Sequence, residues 1–381
     1  MENPATGFEL LDKLREQNGK ERQNFRDFTR HLDRKAREKG IPIRGQFELT
    51  PLCNLSCKMC YAHLTADQLA GRAILSVSAW KDLIHQAWKA GMYQVILTGG
   101  ECLVYPGFDE LYLYVQSLGC ETYVLTNGVL LDDKRIRFFL EHPPAIIKIT
   151  LYGWNDDVYE RVTGQRVFRA VADNIRNAVA AGLPVKISVT PSTYMGEDVL
   201  QTIRTAKSLC KHIDINSAVL PPRKETGRSE QKDDPEIDLY VKAYKLYAEL
   251  EGMTLSEIQE GKLPPAGSEK HECAECGLRC GGGRSGFVVD WKGNMMPCNS
   301  LDMIQGHPFE QGFANAWKVI NKGAESWPRV PECESCAYRH VCNNCAANML
   351  RFAKPGVLSP VLCERTKELV RNGICHIPDC E

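Results

Sequence analysis

The chain has 381 residues, 43% hydrophobic and 25% charged, which suits one large soluble domain and a smaller one. A formal net charge of −1 leaves no basic footprint for nucleic acid. The charge-dense first thirty residues exclude a secretory signal, and no apolar run reaches the length of a membrane span, so the chain is expected in the cytoplasm, where seventeen cysteines point to metal or catalysis rather than disulfides.

In chain order, residues 1–45 read as one or two polar amphipathic helices ending near EKGIPIRG. Their basic stretch, RDFTRHLDRKAREKG, is broken by acids and reads as a solvated helix face. Strand-like and helix-like segments then alternate. GQFELTPL is strand-like and runs into a cysteine cluster. SVSAWKDLIHQAWKAG places Val77, Trp80, Leu83, Ile84 and Ala87 at helical spacing, and Gly91 stops it. QVILTGG is a short strand ending in a glycine pair, and FDELYLYVQSLG is a helix with Phe108, Leu111, Val115 and Leu118 on one stripe. ETYVLTNG is a strand and turn, DDKRIRFFLE a helix, AIIKITLYG a strand, and VFRAVADNIRNAVAAG a helix opened by the TGQR loop. LPVKISVTP is a strand, EDVLQTIRTAKSLC a helix and HIDINSAVL a strand. Six β-then-α units predict an α/β fold whose parallel sheet is covered on both faces. Their spacing favours an open, partial (β/α)6 TIM-like barrel over a flat doubly wound sheet. In either arrangement the active groups belong at the carboxyl ends of the strands.

Residues 221–236, PPRKETGRSEQKDDPE, read as a polar loop, and the helix IDLYVKAYKLYAELEGM follows. Composition changes after GKLPPAGSEK: from His271 onward there are eleven cysteines in 111 residues. Three segments are expected: an N-terminal helical extension (1–45), a barrel core (46–265) and a cysteine-rich domain (266–381).

The first cysteines stand as Cys53-x3-Cys57-x2-Cys60 in TPLCNLSCKMCYAH. They are one short of a filled four-ligand site. A zinc ion with His63 as fourth ligand is the structural alternative. On a [4Fe–4S] cluster, three thiolates leave one iron open for a molecule carrying an amine and a carboxylate. This spacing at the end of a first strand, followed by Tyr61, resembles the signature of the radical SAM superfamily. The resemblance implies that the open iron chelates S-adenosylmethionine (SAM) through its amino and carboxylate groups. An electron from the cluster then cleaves the sulfonium, and the 5′-deoxyadenosyl radical released abstracts a substrate hydrogen.

Thr98-Gly99-Gly100-Glu101 by itself is a tight strand-to-helix turn, with glycines that permit close backbone approach. Beside the cysteines it resembles the family's GGE motif, which binds the SAM amino group; Cys102 stands where the family usually has Pro and reads as a small buried thiol. LTNG (Thr126, Asn127, Gly128) and TLYG (Thr150 to Gly153) resemble positions that line the SAM and substrate pocket. The implied cofactor-binding residues are Tyr61, Gly99, Gly100, Glu101, Thr126, Asn127, Thr150 and Ser188. Thr150 is the one expected to reach the SAM ribose or carboxylate. Each hydroxyl reads equally as a satisfied group at a strand end. Tyr152 and Trp154 belong at the barrel mouth, against substrate or in packing. No catalytic residue is singled out.

The second cysteine region contains Cys333-x2-Cys336-x5-Cys342-x2-Cys345, whose inner gap is shorter than the roughly 15–20 residues of a zinc ribbon. With Cys280, Cys298, Gly293 five residues before Cys298, and Cys363, the pattern resembles the SPASM extension of radical SAM enzymes, except that its last gap is two residues rather than three. The resemblance covers residues 46–220 and 273–363. It implies that Cys333, Cys336, Cys342 and Cys363 hold one auxiliary [4Fe–4S] cluster. Cys280, Cys298 and Cys345 hold another, completed by Cys276 or Cys273. Cys120 and Cys210 read as packing residues at helix ends.

The expected activity is modification of a ribosomally made peptide by cross-linking or oxidation. A small-molecule dehydrogenase, for instance on a sugar, and an anaerobic sulfatase maturase are the alternatives, with a non-enzymatic metal or electron-transfer protein behind them. In sulfatase maturases an Asp after the corresponding cysteine acts as base; here Asn299 follows Cys298 and cannot take a proton. Asp290, Asp302 and His307 are nearby in sequence without a motif. Expected partners are a peptide or small-molecule substrate and an electron donor such as a flavodoxin or ferredoxin. Residues 1–45 are too short and helical for a winged-helix leader-binding domain, so either a separate leader-peptide-binding protein presents the peptide or the substrate is not a leader peptide. Neither nucleic acid nor membrane is expected.

Overall fold

The computed structural model describes residues 19–216, 219–223, 226, 236–252, 278, 280–338, 342, 349–350 and 354–373. Six strands follow one another as parallel neighbours: β1 (Arg44–Glu48), β2 (Gln94–Thr98), β3 (Glu121–Thr126), β4 (Ile146–Thr150), β5 (Val185–Val189) and β6 (Ile213–Ile215). Their order never reverses. Right-handed crossovers between consecutive neighbours therefore all deliver their helices to one face. That is the wall of a partial barrel, and it excludes a doubly wound sheet.

The helices of that wall are α2 (Val77–Lys89), α3 (Phe108–Ser117), α4 (Asp133–Glu141), α5 (Asp156–Thr163), α6 (Phe168–Ala180) and α7 (Asp198–Leu209), preceded by α1 (Gly19–Lys39). Phe47, Val95, Leu97, Val124, Ile147, Ile149 and Ile187 of the sheet are fully buried in one core with Trp80, Leu83, Leu111, Val115, Phe139 and Ile175 of the helices. The alternate strand residues Gln46, Ile96, Tyr123, Leu125, Lys148 and Lys186 are only half-buried. The partial barrel is as expected, and the expectation of a sheet covered on both faces is corrected. Sequential strand order leaves the inner face bare, and it lines an open lumen.

Local signals explain the helix ends. Ser76 caps α2 by accepting from the Ala79 amide at 3.2 Å, and Asp132 caps α4 by accepting from the Arg135 amide at 2.8 Å. Helix α5 was not anticipated. Asn155 caps it by accepting from the Val158 amide at 2.8 Å, and Gly164 ends it with φ of +75°. Tyr159 and Val162 on this helix are buried.

The C-terminal region continues the same sheet. Strand β7 (Gly286–Val289) lies parallel to β1, with Gln46 opposite Val288, and β8 (Met295–Met296) returns antiparallel to β7. Asp290 holds the intervening turn by accepting from the amides of Lys292 at 3.0 Å and Asn294 at 2.9 Å, and Gly293 supplies a φ of +93°. Helix α9 (Phe313–Glu325) packs Phe313 and Trp317 on Phe287, with ring centroids 5.2 and 6.0 Å apart, and Phe287 packs on Phe47 at 5.8 Å. Helix α1 joins this side: Ser285 donates to Asp33 at 3.0 Å, and the Trp317 indole donates to the Gly40 carbonyl at 2.6 Å.

At the other edge, helix α8 (Ile237–Glu251) covers β6, where the hydroxyls of Tyr247 and Tyr244 donate to the carbonyls of Ile213 at 3.2 Å and Ile215 at 3.4 Å. Those tyrosines satisfy edge groups that a bare strand would expose. Helix α10 (Pro360–Arg371) packs on α8, with the Arg365 guanidinium 3.9 Å from the Tyr240 ring. Most of the polar loop at 221–236 and the segment around residue 265 lie outside the described residues. Among the described residues no helix is long and apolar enough to cross a membrane.

Candidate functional site

The cysteine loop leaves the carboxyl end of β1 and is bound to the end of β2 through backbone alone. Leu49 donates to the Thr98 carbonyl at 2.9 Å, Gly100 to the Thr50 carbonyl at 2.7 Å, and Glu101 to the Leu52 carbonyl at 2.9 Å. This is why the glycine pair is there. A Cβ on Gly99 would sit 2.6 Å from the Thr50 carbonyl oxygen, and one on Gly100 would sit 2.5 Å from that of Leu52 and 2.7 Å from that of Pro51. Backbone held on both sides has nowhere to move. Gly100→Ala should therefore cost about 1–3 kcal/mol or more, read as a lowered urea midpoint.

Cys53, Cys57 and Cys60 are all half-buried in this loop. Cys53 Sγ accepts from the Leu55 amide at 3.4 Å and from Asn127 Nδ2 at 3.6 Å, and Cys60 Sγ accepts from the His63 amide at 3.2 Å. Burial pushes the Cys53 thiol up to about 12, with Glu101 and Cys60 adding to the rise. Burial also raises Cys57, reinforced by Cys60 and Cys53 and opposed by a hydrogen bond from the Tyr152 hydroxyl. The crowded thiols of Cys53 and Cys57 keep their protons until a cation replaces them. A tetrahedral zinc with bonds of about 2.3 Å draws its sulfurs to roughly 3.8 Å of one another. Among the described residues no three His, Cys, Asp or Glu side chains are gathered for a single ion. A multi-iron cluster spreads its thiolates over a wider frame and suits the loop better.

Glu101, Thr126 and Asn127 meet behind the loop. Glu101 is 1% exposed; its Oε1 accepts from the Leu103 amide at 3.0 Å and the Thr126 hydroxyl at 2.9 Å, and its Oε2 accepts from the Asn127 amide at 2.7 Å. Burial raises its carboxyl despite these donors. The side chain thus ties the end of β2 to the end of β3. Asn127 passes the link on by donating to Asn54 Oδ1 at 2.7 Å, beside Cys53. Thr150 stands half-buried at the end of β4, in register with the buried Ser188 of β5. Tyr152 reaches the cysteines, whereas Trp154 is taken up by α7 through its indole bond to Asp198 at 2.8 Å.

Sequence reasoning missed a buried ion pair beside the loop. Glu48 and Arg223 are 1% and 8% exposed and bond twice, at 2.6 and 2.9 Å. Tyr61 joins them. Its hydroxyl donates to Glu48 at 2.9 Å, its ring lies 5.2 Å from the guanidinium, and its carbonyl accepts from the Arg223 amide at 3.0 Å. Although burial works against the charge, Glu48 holds Arg223 protonated well above its usual range. The Tyr61 side chain is therefore part of a clamp on the loop. The partners lie 175 positions apart, and no local pattern links them.

The lumen carries a second unforeseen group. Asp214 of β6 accepts on Oδ2 from Lys148 at 3.1 Å and Lys186 at 3.0 Å. Burial alone would raise its carboxyl, but the two ammoniums bring it down to about 2. The native value lies below the unfolded one of about 3.9, so the stabilisation is complete above that value and fades as pH falls towards 2. Asp214→Asn should lose on the order of 2 kcal/mol at pH 7, and the difference from the native chain should shrink between pH 4 and 2.

Among the C-terminal cysteines, Cys336 and Cys342 lie near enough to Cys363 to act on its charge. Burial raises Cys363, with Cys342 and Cys336 adding to it, and Thr366 donates to Cys342 Sγ at 3.6 Å. Cys333 ends a short turn, Pro331–Cys333. Cys280 lies beside the Pro297–Cys298 backbone: a Cβ on Gly282 would sit 3.4 Å from Cys280 Sγ and 3.1 Å from the Pro297 carbonyl oxygen. Cys273, Cys276 and Cys345 lie outside the described residues. Asn299 reaches the inner face of β1, accepting from Gln46 at 3.1 Å. Cys102, Cys120 and Cys210 are buried, and two of them donate to carbonyls: Cys102 to Leu125 and Cys210 to Val185, each at 3.2 Å.

Residues 47–211 match the radical SAM superfamily. The AdoMet-dependent heme synthase of Methanosarcina barkeri is 25% identical over 320 residues, covering 79% of this chain and 90% of that one. The antilisterial bacteriocin subtilosin biosynthesis protein AlbA of Bacillus subtilis is 23% identical over 348 residues, covering 87% and 74%. The crystal structure of Streptococcus suis SuiB bound to the precursor peptide SuiA shares the fold, with a TM-score of 0.63, 16% identity and coverage of 91% and 82%. Sequential barrel order, a three-cysteine loop at the end of the first strand and these matches agree: residues 47–211 form a radical SAM domain, and that family implies a [4Fe–4S] cluster and SAM as cofactors.

Proposed function

We propose that this chain modifies a ribosomally made peptide by radical SAM chemistry, forming a cross-link or oxidising a side chain. The observation that carries the reading is the gathering of Cys53, Cys57 and Cys60 at the carboxyl end of β1, above an open and largely polar lumen. Bound there, the cluster and SAM supply a 5′-deoxyadenosyl radical that takes a hydrogen atom from the substrate. In this reading the three thiolates are the ligands, and the N–H groups of Leu55, His63 and Asn127 that reach sulfur tune the potential. Gly99 and Gly100 offer backbone to the SAM amino group, and Thr150 and Ser188 offer hydroxyls to its ribose or carboxylate. Glu101, Thr126 and Asn127 hold that wall in place, and Tyr61 holds the loop.

The cysteine-rich region would hold the auxiliary [4Fe–4S] clusters: one on Cys333, Cys336, Cys342 and Cys363, the other on Cys280, Cys298, Cys345 and Cys276. They would take up or relay the electron that an oxidised substrate gives back, and a flavodoxin- or ferredoxin-type donor would supply the first one. Peptide as substrate is supported by AlbA, named for subtilosin biosynthesis, and by SuiB, solved with SuiA. A small-molecule substrate is the second reading, favoured by the match across 90% of a heme synthase.

The test is anaerobic reconstitution of the full chain with iron, sulfide, dithionite and SAM. The expected product is 5′-deoxyadenosine, with a mass change in a peptide encoded beside the gene. Product formed only when a small molecule is added selects the second reading; no 5′-deoxyadenosine at all removes both.

A further inference from the structure

Lys148 and Lys186 are direct cross-strand partners on the inner face of β4 and β5. Like charges placed opposite each other on one face of a sheet repel. Among the described residues their counter-charge is Asp214, so two ammoniums share a single carboxylate. Among the described strand residues the other inner-face acids, Glu48 and Glu121, are already engaged: Glu48 by Arg223, and Glu121 by Gln94, which donates to it at 2.6 Å. Both lysines keep part of their surface open, 31% and 29%, although the residues flanking them along the strands are buried. That openness faces the lumen. Beside them, Asp214 Oδ1 and Ser188 Oγ are adjacent in register and buried, and neither makes a hydrogen bond of good geometry. A repelling pair with spare N–H donors and unfilled polar neighbours is costly as scaffold and useful as a receptor.

We propose that Lys148 and Lys186 together bind a carboxylate of the substrate inside the barrel, so that the enzyme selects an acidic substrate. This rests on the lumen being the substrate chamber, as the proposed function has it. The carboxylate belongs either to an acidic residue of a peptide or to a small carboxylic acid; the lysines read the same group in both.

The experiment uses the full chain reconstituted with iron, sulfide and SAM, and calorimetric titration at low salt. Three probes are compared: a blocked pentapeptide with a central glutamate, the same peptide with glutamine, and glutarate. The glutamate peptide or glutarate should bind about tenfold or more tightly than the glutamine peptide, as a charge-assisted hydrogen-bond pair requires. Lys148→Met with Lys186→Met should erase that preference, and Lys148→Arg with Lys186→Arg should restore part of it. Preference for the peptide identifies a peptide source, and equal binding of glutarate identifies a small acid; both support the proposal. Equal affinity for the glutamate and glutamine peptides, with glutarate no tighter, overturns it, as does an undiminished preference in the double Met variant. Should that variant fail to fold, the comparison on the native chain still decides. Absence of 5′-deoxyadenosine from the native enzyme would instead strike the proposed function, and the two failures are read separately.

Discussion

Replacing Cys53, Cys57 and Cys60 together by Ala should bring 5′-deoxyadenosine formation down to background while leaving the fold intact. The expectation has two independent parts. Three thiolates are the minimum that holds a cluster with one iron open, so their loss removes the site outright. The loop itself is anchored by backbone bonds from Leu49, Thr50 and Leu52 to the end of β2, and the substitutions leave those bonds in place. Circular dichroism and the urea midpoint of the metal-free chain should therefore change little. Iron should fall by one cluster's share. Cys363→Ala, far from this loop in sequence, should lower iron by a similar share yet keep a measurable fraction of SAM cleavage. Turnover by the triple variant would remove this loop from the chemistry.

Arg223→Met should destabilise the protein by about 3–5 kcal/mol, because it strands a buried carboxylate whose partner supplied two bonds. The companion Glu48→Met should be comparably harmful, since it strands the guanidinium. The double variant, with both charges gone and volume roughly kept, should recover most of the loss, because well-packed apolar residues often replace a buried pair without penalty. Urea unfolding of the four species closes the cycle. A loss under about 1 kcal/mol for Arg223→Met would mean that the pair is solvated rather than buried. The same variant frees Tyr61 from its clamp, so the loop should admit water and cluster decay in air should quicken.

Some of this was legible in the sequence, and the reason is locality. The six strands and most of the helices announce themselves through runs of a few residues, with Ser76 and Asp132 as caps and Gly91 as a stop. Asn155 and Gly164 give the same signals around α5. They passed unnoticed because eight residues of helix hardly develop a periodic face. The cysteine spacing was readable because ligands on one short loop must be close together.

What escaped depends on register and distance. Nothing local sets Glu48 against Arg223. Lys148 and Lys186 each stand in the middle of an apolar strand, a cue that pointed to the bare inner face once the two strands were aligned. The expectation of a sheet covered on both sides failed for the same reason: apolar runs report burial, and half-buried Ile96, Leu125 and Ile146 look alike whether a helix or a cavity lies over them. The side chain of Glu101 was expected to serve the cofactor; that its three donors also make it a tie between strands could not be read from the local sequence.

The seating of β7 against β1 has a consequence for anyone dividing this molecule. Cutting at residue 265 would not free a self-contained catalytic half. It would expose the backbone of Arg44 to Phe47, now matched to Gly286 to Val289, as a raw seam along the very strand that leads into the cysteine loop. A fragment ending there should precipitate through that seam. Supplying the remainder as a second polypeptide should rescue it, by restoring the missing rung.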